Sequence, residues 1–156
     1  MADGERDPFA KALGAIRRRE RSTAEIIDWL AERDYGPEEI ESAISRLIEC
    51  GELDDRRFAE LFAEDKRELA GWGPERIAAA LSERGIDREL VETVSLETHD
   101  EQVDRAVALL HERRFVLADD GDRQRALGLL NRRGYGYEVA HEAIRLAGRD
   151  HGAAAA

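Results

Sequence analysis

The chain has 156 residues, 42% hydrophobic and 38% charged, with 24 Lys and Arg against 35 Asp and Glu for a formal net charge of −11. This length suits one medium domain or a short array of small units, and the acidic total disfavours a general DNA binder, which needs clustered Lys and Arg to neutralise phosphates. The single cysteine, Cys50, excludes an intramolecular disulfide and a cysteine-built metal cage, no apolar run approaches the ~18 residues of a membrane span, and the opening MADGERDPFAKAL lacks a signal-peptide core, so a cytoplasmic protein without membrane contact is expected.

Strand patterns are almost absent, and apolar residues recur at helical spacing, as in Ile26, Ile27, Leu30 and Ile40, Ala43, Ile44, Leu47, Ile48. Taken in chain order, the predicted helices span 8–18, 22–33, 37–49, 54–69, 74–84, 88–97, 100–114, 122–132 and 137–147. Ser22-Thr23-Ala24-Glu25 reads as a capping box, and Pro37 and Pro74, each after a glycine, suit a first helical turn. Asp54, Asp87, Asp100 and Asp122 stand where further helices should start. Gly51, Gly71-Trp72-Gly73, Gly85 and Gly134 mark helix stops, because glycine enters the left-handed region without a Cβ penalty. A flexible start over 1–7 and a frayed tail over 149–156 complete the expected layout.

The charge is unevenly distributed. Residues 1–21 carry a net +2, residues 22–70 a net −9, residues 71–98 a net −3 and residues 99–156 a net −1. The acid is therefore concentrated in the first third, and the two ends are balanced or basic. A surface field follows this local distribution more than the total.

One short pattern returns three times: Leu30-Ala31-Glu32-Arg33-Asp34-Tyr35, Leu81-Ser82-Glu83-Arg84-Gly85-Ile86 and Leu130-Asn131-Arg132-Arg133-Gly134-Tyr135. The leucines stand 51 and 49 residues apart, within the range of repeat architectures. In each copy leucine packs a last helical turn, arginine favours the negative helix end, glycine makes the turn and Tyr or Ile enters the next helix. Aspartate replaces the turn glycine only in the first copy, where its tolerance of the left-handed region lets the turn form at some cost. With one preceding helix per copy, the predicted helices group into three-helix units over 8–50, 54–98 and 100–148, giving an all-α fold of three tandem repeats in an elongated, curved array.

The residues now carry a family resemblance. Gly51-Glu52-Leu53-Asp54-Asp55-Arg56-Arg57-Phe58-Ala59-Glu60 resembles the most characteristic segment of the RecX family. Gly71-Trp72-Gly73-Pro74-Glu75-Arg76-Ile77, followed by Leu81 and Arg84-Gly85-Ile86, is similar to its second signature. The opening Arg21-Ser22 and the closing Arg132-Arg133-Gly134-Tyr135 match in order and distance, so the resemblance covers about residues 16–147. It implies three tandem three-helix repeats and a regulatory protein that binds the RecA filament on single-stranded DNA. Such a protein modulates, and usually limits, strand exchange and the coprotease activity of RecA, within DNA repair and the SOS response. It also implies no cofactor and no catalytic centre, and a chain that is monomeric when free.

Individual residues agree with a non-enzymatic reading. Adjacent Asp54 and Asp55 point about 100° apart on a helix, with no His or Lys to orient them, and suit a cap with a dipole partner better than an acid pair. Asp119-Asp120-Gly121-Asp122 lacks calcium-loop spacing, with Leu130 and Asn131 at the twelfth positions. His99, His111, His141 and His151 form no metal pattern, Cys50 has no CxxC partner, and Pro74 removes an N–H that a phosphate loop would use. Among the aromatics, Trp72 and Tyr137, beside turn glycines, are the candidates for base stacking, whereas Phe9, Trp29, Phe58, Phe62, Phe115 and Tyr135 lie at core spacing.

The arginines remain as candidate partner-binding residues: Arg17, Arg18, Arg19 and Arg21 at the start, then Arg113 and Arg114, Arg123 and Arg125, Arg132 and Arg133. Arg57 and Arg76 join them from the two signature segments. The planar guanidinium fork takes phosphate or carboxylate at two points, although adjacent arginines on one helix diverge. The competing reading is a helix-turn-helix DNA-binding regulator, but helix 37–49 offers Glu38, Glu39, Glu41 and Glu49, which repel phosphate. The acidity leaves limited direct contact with single-stranded DNA.

Overall fold

A computed structural model describes residues 6–156. Among them the chain forms helices and no strand: α1 (Pro8–Arg18), α2 (Thr23–Ala31), α3 (Pro37–Glu49), α4 (Asp55–Ala70), α5 (Pro74–Glu83), α6 (Arg88–Ser95), α7 (His99–Glu112), α8 (Asp120–Arg133) and α9 (Tyr137–Ala154). The fold is all-α, as the periodicity predicts. Most of the flexible start expected over 1–7 lies outside the described residues. Its last residue, Asp7, caps α1 by accepting the Phe9 N–H at 3.1 Å. No helix of the described residues is long and apolar enough to cross a membrane.

Most starts follow the predicted chemistry. Ser22 and Glu25 form the full capping box, with Ser22 Oγ accepting the Glu25 N–H at 3.2 Å and Glu25 Oε2 accepting the Ser22 N–H at 3.1 Å. Asp54 Oδ1 accepts the Arg57 N–H and Asp87 Oδ1 the Glu89 N–H, each at 3.0 Å. Two starts differ from expectation. Thr98 rather than Asp100 caps α7, through a second capping box with Glu101. Asp119 rather than Asp122 caps α8, accepting the Asp122 N–H at 2.8 Å, so Gly121 lies inside the first turn. Helix α9 runs on to Ala154, past the 147 predicted and into the tail expected to fray, through Gly148-Arg149-Asp150-His151-Gly152 and two alanines.

The chain divides into two compact units. The first joins the chain up to Phe62 with Leu81–Val91, and the second joins Ala63–Ala80 with Glu92–Ala156. In the first, Ala12, Ala15, Ile26, Leu30, Ile40, Ala43, Ile44, Leu47 and Leu53 form the core between α1, α2 and α3. In the second, α7 packs on α9 and α8 on α9, around Leu109, Leu110, Leu130, Tyr135, Val139 and Ile144. Leu30, Leu81 and Leu130 of the recurring pattern are all fully buried, each worth about 1.5–3 kcal/mol by burial.

Each recurring turn closes in the same way. The N–H of Tyr35, Ile86 and Tyr135 donates back to the carbonyl of Leu30, Leu81 and Leu130, at 3.4, 3.1 and 3.1 Å. The residue before it takes a positive φ of 63° at Asp34, 76° at Gly85 and 92° at Gly134. The second and third turns do more than end a helix. In the first unit, the second turn seats on the start of α2: Ser22 Oγ donates to the Arg84 carbonyl, and Arg84 forks onto both oxygens of Glu25. In the second unit, the third turn seats on the start of α5. Gly73 N–H donates to the Arg133 carbonyl at 2.7 Å, Glu75 N–H to the Gly134 carbonyl at 3.2 Å, and Tyr135 Oη to the Gly71 carbonyl at 2.9 Å. Two further bonds hold the seat, from Arg133 to the Ala70 carbonyl and from Arg76 Nη1 to the Arg132 carbonyl at 3.0 Å.

The turn glycines therefore meet a steric demand as well as a dihedral one. A Cβ on Gly85 would lie 2.5 Å from the Ala24 Cβ, and one on Gly134 would strike the Arg76 backbone. Asp34 is exposed, and its turn carries a dihedral cost at φ 63°.

Two outcomes follow. Urea denaturation should show Gly134→Ala destabilised by about 1–3 kcal/mol, while Asp34→Gly should gain about 0.4–1 kcal/mol; equal small effects at both sites would contradict the seat. Glu25 gives the second. Burial raises its pKa, but the Arg84 hydrogen bonds, the Ser22 N–H and the Arg84 charge outweigh burial and hold the carboxyl below its ordinary 4.5. Its contribution is therefore present above pH 4.5 and is lost as pH falls through the depressed value. Glu25→Gln should lose about 1 kcal/mol at neutral pH. The gap to wild type should narrow as acid protonates Glu25, and a pH-independent gap would rule out this origin.

Candidate partner-binding surface

In the first unit the candidate arginines have different surroundings. Arg17, Arg18 and Arg19 end α1 and are exposed. Arg17 lies 3.5 Å from Glu52, and Arg18 Nε donates to the Gly14 carbonyl of its own helix at 3.0 Å. Arg21 is half-buried beside the Trp29 ring, and Arg57 Nη1 donates to the Gly51 carbonyl at 3.0 Å. Arg57 thus steadies the turn that precedes its own helix.

The second unit sorts its arginines into tied and free. Arg133 bonds the Ala70 carbonyl. Burial first, and then the positive charges of Arg113 and Arg76, pull its guanidinium below the ordinary arginine range. Arg76 bonds the Arg132 carbonyl and lies 4.1 Å from the centre of the Trp72 ring. Arg67 and Arg105 both engage Glu97, whose side chain is 5% exposed; Arg105 Nη2 stands 2.8 Å and Arg67 Nε 3.3 Å from its oxygens. Two guanidiniums are what make this carboxylate tolerable at such depth. Composition did not single out Glu97 or Arg105, because their pairing depends on the path between α6 and α7.

Arg113, Arg114 and Arg132 are exposed, and no carboxylate lies within ion-pair distance of them among the described residues. Arg113 and Arg132 line one cleft of about 440 Å³ with Arg125, Gln124, Phe115, Gly128 and Leu129. Arg125 pairs with Asp122 on its own helix, as exposed Arg123 does with Asp120. Residues 125, 128, 129 and 132 share a face of α8 at helical spacing, the signal that would have grouped them from sequence. Arg113 also borders a second cleft of about 460 Å³ lined by Arg67, Arg105 and Arg133 together with Glu68, Glu101, Asp104 and Glu112. Arg114 stands apart at a positive φ of 58°, a strained position for a residue with a Cβ.

The two aromatic candidates differ. Tyr137 is 75% exposed, its ring 4.1 Å from that of His141, beside a cleft of about 380 Å³ that shares Gln124 and Gly128 with the arginine cleft. Trp72 is half-buried between Lys66 and Arg76. Cys50 caps α3, with its Sγ 3.5 Å from the Leu47 carbonyl. Among the described residues no group of three or more His, Cys, Asp or Glu is placed to hold a metal ion.

These elements define an all-α protein with turns seated on helix starts and a basic surface around α8. Comparison with known proteins gives the family. Residues 9–47 match the first three-helix domain of RecX and residues 54–94 the second. The regulatory protein RecX of Thermus thermophilus is 38% identical over 141 residues, 90% of this chain and 92% of its own. That of Mycobacterium avium is 34% identical over 142 residues, 86% of this chain and 81% of its own. The crystal structure of RecX from Lactobacillus salivarius superposes with a TM-score of 0.81 at 24% identity, covering 94% of this chain and 98% of that one, which shows the shared fold. The chain belongs to the RecX family of regulatory proteins.

The tied and free arginines are separable by stability. Arg133→Ala should cost about 1–3 kcal/mol by stranding the Ala70 carbonyl, whereas Arg113→Ala and Arg132→Ala should stay within about 0.5 kcal/mol of wild type in urea. A neutral Arg133→Ala would remove the distinction.

Proposed function

We propose that this protein binds the RecA filament on single-stranded DNA and restrains its recombinase and coprotease activities, acting in the cytoplasm in control of DNA repair and the SOS response. The supporting observation is family membership over nearly the whole chain, with matched three-helix domains at 9–47 and 54–94. Three three-helix units over 8–50, 54–98 and 100–148 supply the contacts. Contacts spread over several filament subunits would combine as avidity.

Within this reading, Arg113, Arg114 and Arg132 make the partner contacts of the third unit, aided by Arg125, because their guanidiniums are not committed to backbone carbonyls. Arg17, Arg18, Arg19, Arg21 and Arg57 supply further contacts from the first unit, while Arg76 and Arg133 act by holding the turn that presents Arg132. The strained backbone at Arg114 supports a role for that side chain, since glycine would form the same turn at lower cost. Arg133 keeps its charge at physiological pH and adds to the local positive field.

The test adds the protein to RecA during strand exchange and filament-dependent ATP hydrolysis. Wild type should slow both in proportion to filament occupancy. Arg113→Ala with Arg132→Ala should weaken filament binding about 10-fold or more while its urea midpoint stays near wild type, the behaviour of surface charges at an interface. Wild type that leaves both reactions unchanged at saturation would overturn the proposal.

A further inference from the structure

Helix α8 fully buries only Ala126 and Leu130, and Gln124, Arg125, Asn131 and Arg132 of its outer face are exposed. Gly128 stands in the middle of this face, half-buried, where glycine is the least favourable helical residue short of proline. Nothing in the fold requires it. Its backbone is ordinary helix, outside the left-handed region. Apart from its own helix backbone, a Cβ there would meet only Arg132 Nη1, at 3.1 Å, the tip of an exposed side chain that can swing aside. Gly85 and Gly134 differ, because their missing Cβ makes room for another segment of this chain. A mid-helix glycine with no such neighbour suits close approach by something outside the chain.

Gly128 is also where two clefts meet. Gln124, Leu127, Gly128 and Asn131 floor the cleft beside Tyr137, and Arg125, Gly128, Leu129 and Arg132 floor the cleft beside Arg113 and Phe115. Each set has the i, i+3, i+4, i+7 spacing of the four-residue hole that takes one side chain of a facing helix. Two such holes that share a glycine fit a helix crossing α8 at the short end of the about 8–10 Å range of axis separations. The first hole is bordered by Leu127, Tyr135 and Ala140 and suits an apolar side chain. The second brings Arg113 and Arg132, with no carboxylate in ion-pair distance among the described residues, beside Phe115 and Leu129. Glutamate matches it, with an apolar stem and a head for the guanidiniums. We propose that α8 is the seat of an acidic amphipathic helix, which crosses over Gly128 with an apolar side chain in one cleft and a carboxylate in the other. On the reading that this protein binds a RecA filament, the helix belongs to a protein subunit of that filament, and the DNA strand does not occupy α8.

Fluorescence anisotropy of the labelled full chain, titrated with RecA filament on single-stranded DNA and separately with bare single-stranded DNA, tests this. Gly128→Ala and Gly128→Leu should hold or raise the urea midpoint, because both residues are better helix formers. Filament affinity should nevertheless fall several-fold for alanine and about 10-fold or more for leucine, with affinity for the bare strand unchanged. Stability and binding then move in opposite directions, which a purely structural role for the glycine would not produce. Gly128→Ala, whose added methyl meets only the Arg132 tip, keeps the test if leucine perturbs the fold. With benzoylphenylalanine in place of Gln124, ultraviolet light should attach the chain to a carboxylate-bearing helix of RecA. If both Gly128 variants bind the filament as wild type does, the seat is overturned and the filament reading stands. An equal loss of affinity for the bare strand, or a crosslink to DNA, assigns the face to nucleic acid and also overturns the seat. Wild type without affinity for the filament overturns both readings.

Discussion

Close approach of a helix end to a helix start at two glycine turns is the constraint on which the rest of the structure depends. Gly85 lets its helix end pack on Ala24, where the Ser22 hydroxyl meets the Arg84 carbonyl, and Gly134 lets its helix end meet the backbone at the start of α5. Helix starts leave N–H groups without partners and helix ends leave carbonyls. Here the Gly73 and Glu75 N–H groups meet the Arg133 and Gly134 carbonyls directly. One contact thus ends α8 and begins α5.

The same constraint divides the arginines. Arg84, Arg133 and Arg76 reach carboxylate or carbonyl partners at the seats and are structural. Arg113 and Arg132 are exposed, with no carboxylate within ion-pair distance among the described residues. The net charge of −11 conceals this arrangement, because the carboxylates that dominate it lie mostly in the first half of the chain.

Local features were legible in the sequence, and those that depend on distant pairing were not. The helix periods, the Ser22 capping box and the glycine stops follow from neighbours a few residues apart, and the structure keeps them. Thr98 takes the cap in place of Asp100, and Thr98-His99-Asp100-Glu101 carries the capping-box spacing. No glycine marks the turn at Arg114, yet Leu110-His111-Glu112-Arg113-Arg114-Phe115 follows the recurring Leu-x-x-Arg pattern and Phe115 N–H donates to the Leu110 carbonyl. The pairs Glu25–Arg84 and Ala70–Arg133 lie about 60 residues apart in sequence. Nothing in a single sequence links such residues, so tied and free arginines look alike until the chain is folded.

Amide hydrogen exchange by NMR at Gly73 and Glu75 tests the seat most directly. Both N–H groups lie at a glycine-rich loop and a helix start, where exchange is ordinarily fast. The account predicts that they exchange only through the same opening that exposes the core amides of Leu130 and Tyr135, with matching free energies. Exchange at the rate of an exposed loop, while Leu130 and Tyr135 stay protected, would contradict it.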